Sequence, residues 1–121
     1  MSNVLFIAAS IMIGLHGLVH VMGFYVYAKL GEIEGLPYKT KVLGGCIKLK
    51  ETGMAIFGII WLLVGVGFVV GAFAMGTNHE WANALLRWSA IASLLITGLD
   101  FSVAYMGIVV NILILIGLYF V

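Results

Sequence analysis

Residues 53–75 read "GMAIFGIIWLLVGVGFVVGAFAM", without a charged residue or a proline. About 20 apolar residues in a helix cross a hydrocarbon core roughly 30 Å thick, so this stretch is long enough to span a bilayer. Within lipid every backbone amide must be satisfied in its own segment, which makes a helix the natural spanning form. The short alternating segments of a membrane barrel are missing. Composition agrees: of 121 residues, 64% are hydrophobic and 9% charged, whereas a soluble domain has about a quarter of its residues charged. The reading is an all-α integral membrane protein.

Three further spans flank this one. Residues 4–28 form the first, entered from Ser2 and Asn3, and it is too long and lacks the basic start of a cleaved signal peptide. Residues 29–51 make a polar connection that carries Pro37, Gly31, Gly35, Gly44 and Gly45. Part of it, "LPYKTKVLGGCIKLKET", suits an interfacial helix with Leu, Val and Ile towards lipid. "GTNHE" at 76–80 is a tight turn. The apolar run from Trp81 to Val121 is too long for one crossing and breaks at "TGLDF", where Gly98 and Asp100 offer a turn. The third span is then 81–99 and the fourth 101–121. One four-helix bundle results, with no second domain and no internal repeat.

Lys29, Lys39, Lys41, Lys48 and Lys50 all fall in the first connection, and Arg87 is the one basic residue elsewhere. An excess of lysine in a short loop marks it cytoplasmic, so an even number of spans places both termini outside the cell membrane. Trp81, Trp88, Tyr25, Tyr27, Tyr105 and Tyr119 lie near span ends, as interfacial aromatics do. Cys46 is the only cysteine, which excludes an intramolecular disulfide. A net charge of +1 with no basic stripe gives nucleic acid nothing to bind.

The polar residues inside the spans are the candidates for function. At 1.5 Å rise per residue, His20 lies about 12–14 Å from the lysine-rich end of the first span and His16 roughly 18–20 Å. Asn111, Ser93 and Ser89 come to about 15, 10 and 16 Å, so these residues share one layer near the midplane. Ser89, Ser93 and Thr97 recur every four positions as one stripe. A polar group facing lipid costs several kcal/mol, so the set should turn inward and meet in a pocket between spans one, three and four. Glu51 and Asp100 stand at the cytoplasmic edge as solvated span ends, and Arg87 snorkels to the outer interface. Beside this stands the plainer reading, in which serines and threonines bond their own helix or glue neighbours, and the histidines pack as neutral residues.

Two histidines a turn apart can chelate a metal, but a zinc site needs at least three protein ligands and no Cys, Asp or Glu lies at their depth. Two on one helix cannot take both axial positions of one haem, and no lysine inside a span is placed for a retinal Schiff base. Within one chain, metal and haem are therefore disfavoured. Histidine with Asn and Ser suits proton handling. A greasy pocket with few polar groups suits a quinone- or lipid-like ligand.

"HGLVHVMGF" in the first span resembles the DoxX-like membrane proteins, whose first span carries "HG" followed by a small residue; His16, Gly17 and Gly23 match, with His20 standing where those proteins commonly carry a basic residue. "KETGMAIFGIIWLLVGVG" is similar to their second span, with Glu51, Gly53, Gly58 and Gly65 approximating its pattern. With "LDFSVAYMGIVVNILILIG", Asp100 and Asn111 also resemble a wider set of four-helix bacterial and archaeal proteins. The resemblance implies a four-helix membrane fold, and for a few relatives an association with quinone-linked sulfur oxidation. Three functions stay open: a ligand-binding membrane protein using His16, His20, Asn111, Ser93 and Ser89; a proton-coupled transporter or channel acting as a homo-oligomer; or a structural subunit of a larger membrane complex.

Overall fold

The computed structural model describes residues 3–120; Ser2 and Val121, at the two ends of the expected spans, lie outside them. Four α-helices make up the chain: α1 (Asn3–Tyr27), α2 (Lys50–Gly76), α3 (Ala82–Leu99) and α4 (Phe101–Tyr119). Each is long and apolar enough to cross a membrane, which makes this a multi-pass membrane protein with a four-helix bundle. The outward faces carry large apolar side chains such as Leu5, Ile11, Leu63, Phe73, Leu95 and Leu113, the surface that a lipid environment requires.

Neighbouring helices run antiparallel. Gly14 approaches Ala72, Gly17 approaches Gly65 and Gly23 approaches Trp61, while Gly67 meets Ser89 and Thr97 meets Gly107. Thus α1 packs on α2, α2 on α3, and α3 on α4, whereas α1 and α4 meet only sparsely. The largest share of the buried apolar side chains, among them Met54, Phe57, Trp61 and Phe68, comes from α2.

Small residues set the closest approach. A methyl group built on Gly17 would stand 2.8 Å from the Gly65 carbonyl oxygen, and one on Gly65 would stand 2.7 Å from the Gly17 carbonyl oxygen. Membrane helices gain little from the hydrophobic effect when they associate, so backbones brought this near supply the van der Waals contact that does hold them.

The connections are tight. α1 ends with Lys29 in the left-handed region (φ 58), and the Leu30 N–H donates to the Tyr25 carbonyl oxygen at 2.9 Å. α2 ends the same way at Asn78 (φ 61), with the His79 N–H on the Ala74 carbonyl oxygen at 2.9 Å; asparagine tolerates that conformation better than most residues. Only Asp100 separates α3 from α4. Its carbonyl oxygen accepts from the N–H groups of Val103 and Ala104 at 3.1 and 2.9 Å, and so starts the next helix.

The connection at 29–49 contains no interfacial helix, contrary to the expectation for "LPYKTKVLGGCIKLKET". It forms a two-stranded antiparallel hairpin, β1 (Lys41–Val42) against β2 (Ile47–Lys48). The reason lies at the turn, where Leu43, Gly44 and Gly45 all have positive φ, a conformation that glycine enters freely and a right-handed helix cannot hold. The Leu43 N–H donates to the Leu99 carbonyl oxygen at 2.7 Å, so the hairpin is anchored on the end of α3.

At the surface, Lys29 pairs with Glu51 at 2.8 Å, and both side chains are well exposed. The Glu51 carboxylate raises the Lys29 ammonium above its ordinary pKa. A raised lysine contributes stability that is complete below its unfolded pKa and fades only as alkaline pH passes the folded value. Exposed pairs are weak. Lys29→Gln is therefore expected to leave thermal unfolding unchanged across the neutral range, as measured by differential scanning fluorimetry in detergent.

Candidate functional site

The structure gathers His16, His20, Ser93 and Asn111 into one hydrogen-bonded cluster, joined by Thr97. His20 Nδ1 lies 2.9 Å from its own helix's His16 carbonyl oxygen, and His20 Nε2 lies 2.6 Å from Ser93 Oγ. Asn111 Nδ2 donates to Ser93 Oγ at 2.7 Å and to Thr97 Oγ1 at 3.4 Å. His16 Nε2 and Asn111 Oδ1 are 3.0 Å apart. Thr97 Oγ1 donates to the Ser93 carbonyl oxygen at 2.7 Å.

Carbonyl chemistry orders these protons. A backbone oxygen only accepts, so neutral His20 carries its hydrogen on Nδ1 and leaves Nε2 as an acceptor. Ser93 then donates to His20 Nε2 and accepts from the Asn111 amide. With its NH2 group engaged by Ser93 and Thr97, Asn111 turns its carbonyl oxygen to His16, which donates from Nε2. One chain of bonds thus links α1, α3 and α4, and buried His20, Ser93 and Asn111 are all satisfied within it. Removing its centre should cost about 1–3 kcal/mol, because Ser93→Ala leaves a buried acceptor on His20 and a buried donor on Asn111. Thermal unfolding in detergent is the check, and Ser89→Ala is the control. Ser89 is buried against Gly67 of α2 and takes no part in the cluster.

A cavity of about 280 Å³ opens below this cluster. His16, His20 and Gly23 of α1, Trp61 of α2, Thr97 of α3 and Met106 and Gly107 of α4 form its walls. Tyr27, Asp100 and loop residues 33–36 line its lysine-rich end. On the other side of the His16–Asn111 bond lies a second cavity of about 290 Å³, walled by apolar side chains that include Met12, Ile13, Leu113 and Ile114. Both occupy the seam where α1 and α4 fail to pack, and the hydrogen bond from His16 to Asn111 bridges that seam.

Asp100 is not a solvated span end. It is 1% exposed, accepts a hydrogen bond from the Tyr27 hydroxyl and forms an ion pair with Lys39. The loop folds back over the end of α3 and carries Lys39 down to it, so the carboxylate exchanges water for a phenol and an ammonium. Its position at the start of α4 also suits a negative charge. Glu51 does stay at the exposed edge. Arg87 is exposed, donating to Asn83 Oδ1 at 3.0 Å one turn earlier.

By sequence Tyr27 reads as an interfacial aromatic, Lys39 as a loop charge and Trp61 as plain span; all three belong to this region. A lone carboxylate at the end of an apolar run was the available signal, since such a group needs a partner. Among the described residues no three His, Cys, Asp or Glu side chains stand close enough to hold a metal ion. The indole N–H of Trp61 and the hydroxyl of Tyr38 are buried without a partner.

Compared with protein-family models, characterised proteins and solved structures, the chain shows no significant match.

Proposed function

We propose that this protein resides in the cell membrane with both termini outside, and that its polar-ended cavity binds a small, mostly apolar ligand of quinone or lipid type. The observation behind the reading is the cavity itself: about 280 Å³ beside the bundle's buried polar cluster, with two histidines in its wall. Small-molecule sites are mostly apolar hollows with a few placed polar groups, and about 300 Å³ is the lower end of their range. The space therefore suits a ring-sized head, while the sparse α1–α4 seam lets a tail leave sideways into lipid. His16 is the main polar contact, His20 and Asn111 hold it in place, and Ser93 supports both. The DoxX-like resemblance of the first two spans belongs to the same proposal: Gly17 and Gly65, which carry part of it, make the closest α1–α2 approach.

Native mass spectrometry of mildly extracted protein tests this reading. A retained small-molecule adduct is expected on the wild type and is expected to vanish in Val103→Trp, which enlarges a side chain of the cavity wall. An adduct unaffected by that substitution, or no adduct with either protein, counts against it.

A second reading is proton-coupled transport in a homo-oligomer, favoured by the Lys39, Asp100 and Tyr27 groups at the cavity's lysine-rich end. It requires a pH-dependent solute flux in proteoliposomes that His16→Ala abolishes.

A further inference from the structure

We infer that the cavity selects a ligand that donates a hydroxyl hydrogen (a lipid alcohol, phenol or quinol) over the matching carbonyl compound. This rests on the binding reading above and names the ligand class. The argument is proton accounting around the cavity wall. Asn111 Oδ1 holds the only ring hydrogen of neutral His16 on Nε2. Nδ1 therefore keeps a bare lone pair, and among the described residues no group donates to it. His16 is half-buried and lines the cavity, so this acceptor is what the ring offers a guest.

The side-chain donors of the wall are already committed. The Tyr27 hydroxyl gives its hydrogen to Asp100, Thr97 gives its own to the Ser93 carbonyl oxygen, and the Nδ1 hydrogen of His20 goes to the His16 carbonyl oxygen. The Trp61 N–H is unspent but has no accessible surface. Among the side chains, what remains open is acceptor: His16 Nδ1, with the exposed Glu34 carboxylate at the lysine-rich end. A carbonyl oxygen entering here sets lone pair against lone pair, whereas an O–H completes a hydrogen bond to His16 Nδ1. A quinone therefore fits the site less well than its quinol.

The test uses the full chain in detergent and two probes of equal skeleton, a heptyl-substituted cyclohexanol and the corresponding cyclohexanone, titrated by tryptophan fluorescence or calorimetry. One net hydrogen bond in an apolar site corresponds to roughly tenfold in affinity. The alcohol is expected to bind about tenfold tighter, and the preference is expected to collapse in Asn111→Leu, which frees His16 to place its hydrogen on either nitrogen. Two-bond proton–nitrogen NMR correlation of the imidazoles supplies a readout without any ligand: His16 Nδ1 should give the unprotonated, pyridine-type signal. Equal binding of the two probes, or a protonated Nδ1 in neutral His16, overturns the donor selectivity and leaves the binding cavity standing. If neither probe binds, the cavity reading falls and the selectivity with it.

Discussion

Asp100→Ala is expected to destabilise the protein by about 3–5 kcal/mol, the cost of breaking a buried ion pair from one side. The carboxylate side chain is fully buried, and the Lys39 side chain opposite it is about a fifth exposed, 22%. Without Asp100 the ammonium loses its counter-charge and the Tyr27 hydroxyl loses its acceptor in the same place. Asp100→Asn should cost less, because an amide oxygen still accepts from Tyr27. The measurement is unfolding in mixed detergent, followed by circular dichroism. The loop should feel the loss before the helices do, since Lys39 is a tie between residues 29–49 and the bundle; limited proteolysis near Lys41 should accelerate in both variants. An Asp100→Ala protein as stable as wild type would show the carboxylate to be solvated after all.

Gly17→Leu is the second large effect. A Cβ at this position stands 2.8 Å from both the Gly65 carbonyl oxygen and Phe68 Cβ, and neither is the movable tip of a long side chain. The helices must separate, and overpacking of this kind costs about 3 kcal/mol or somewhat more. The displacement reaches the site as well, because Gly17 lies between His16 and His20; binding of the alcohol probe should weaken along with stability. Gly98→Ala is the contrasting case. A methyl there meets nothing within 4 Å, so only the gain in helix propensity remains, and the variant should be more stable by about 0.5 kcal/mol. Equal effects from the two substitutions would remove the close α1–α2 approach from the account of how this bundle holds together.

The same contrast separates what is readable in a sequence from what is not. The lysines and glycines of residues 29–49 fit a polar connection whether that connection is helical or not. Gly44 and Gly45 were the signal for a turn, and their weight became clear only with Leu43 joined to the end of α3. Asp100 sits one residue past an apolar helix in either description. That it is buried depends on where a loop more than fifty positions earlier in the chain delivers Lys39. Ser89 and Ser93 share a face by spacing, yet α2 takes one of them and the cluster takes the other.

Composition and hydropathy by themselves determined the membrane setting, the four helices and the depth of the polar side chains, because lipid tolerates no unsatisfied backbone and a helix rises by a constant step. They also required His16, His20, Ser93 and Asn111 to turn inward, since facing acyl chains is too costly. Tertiary structure alone decided that α1 and α4 stay apart and leave a cavity, that Tyr27 and Lys39 converge on Asp100, and on which nitrogen His16 keeps its hydrogen. Those outcomes follow from contacts between residues distant in the chain, and local periodicity carries no information about which partner a buried donor or acceptor meets.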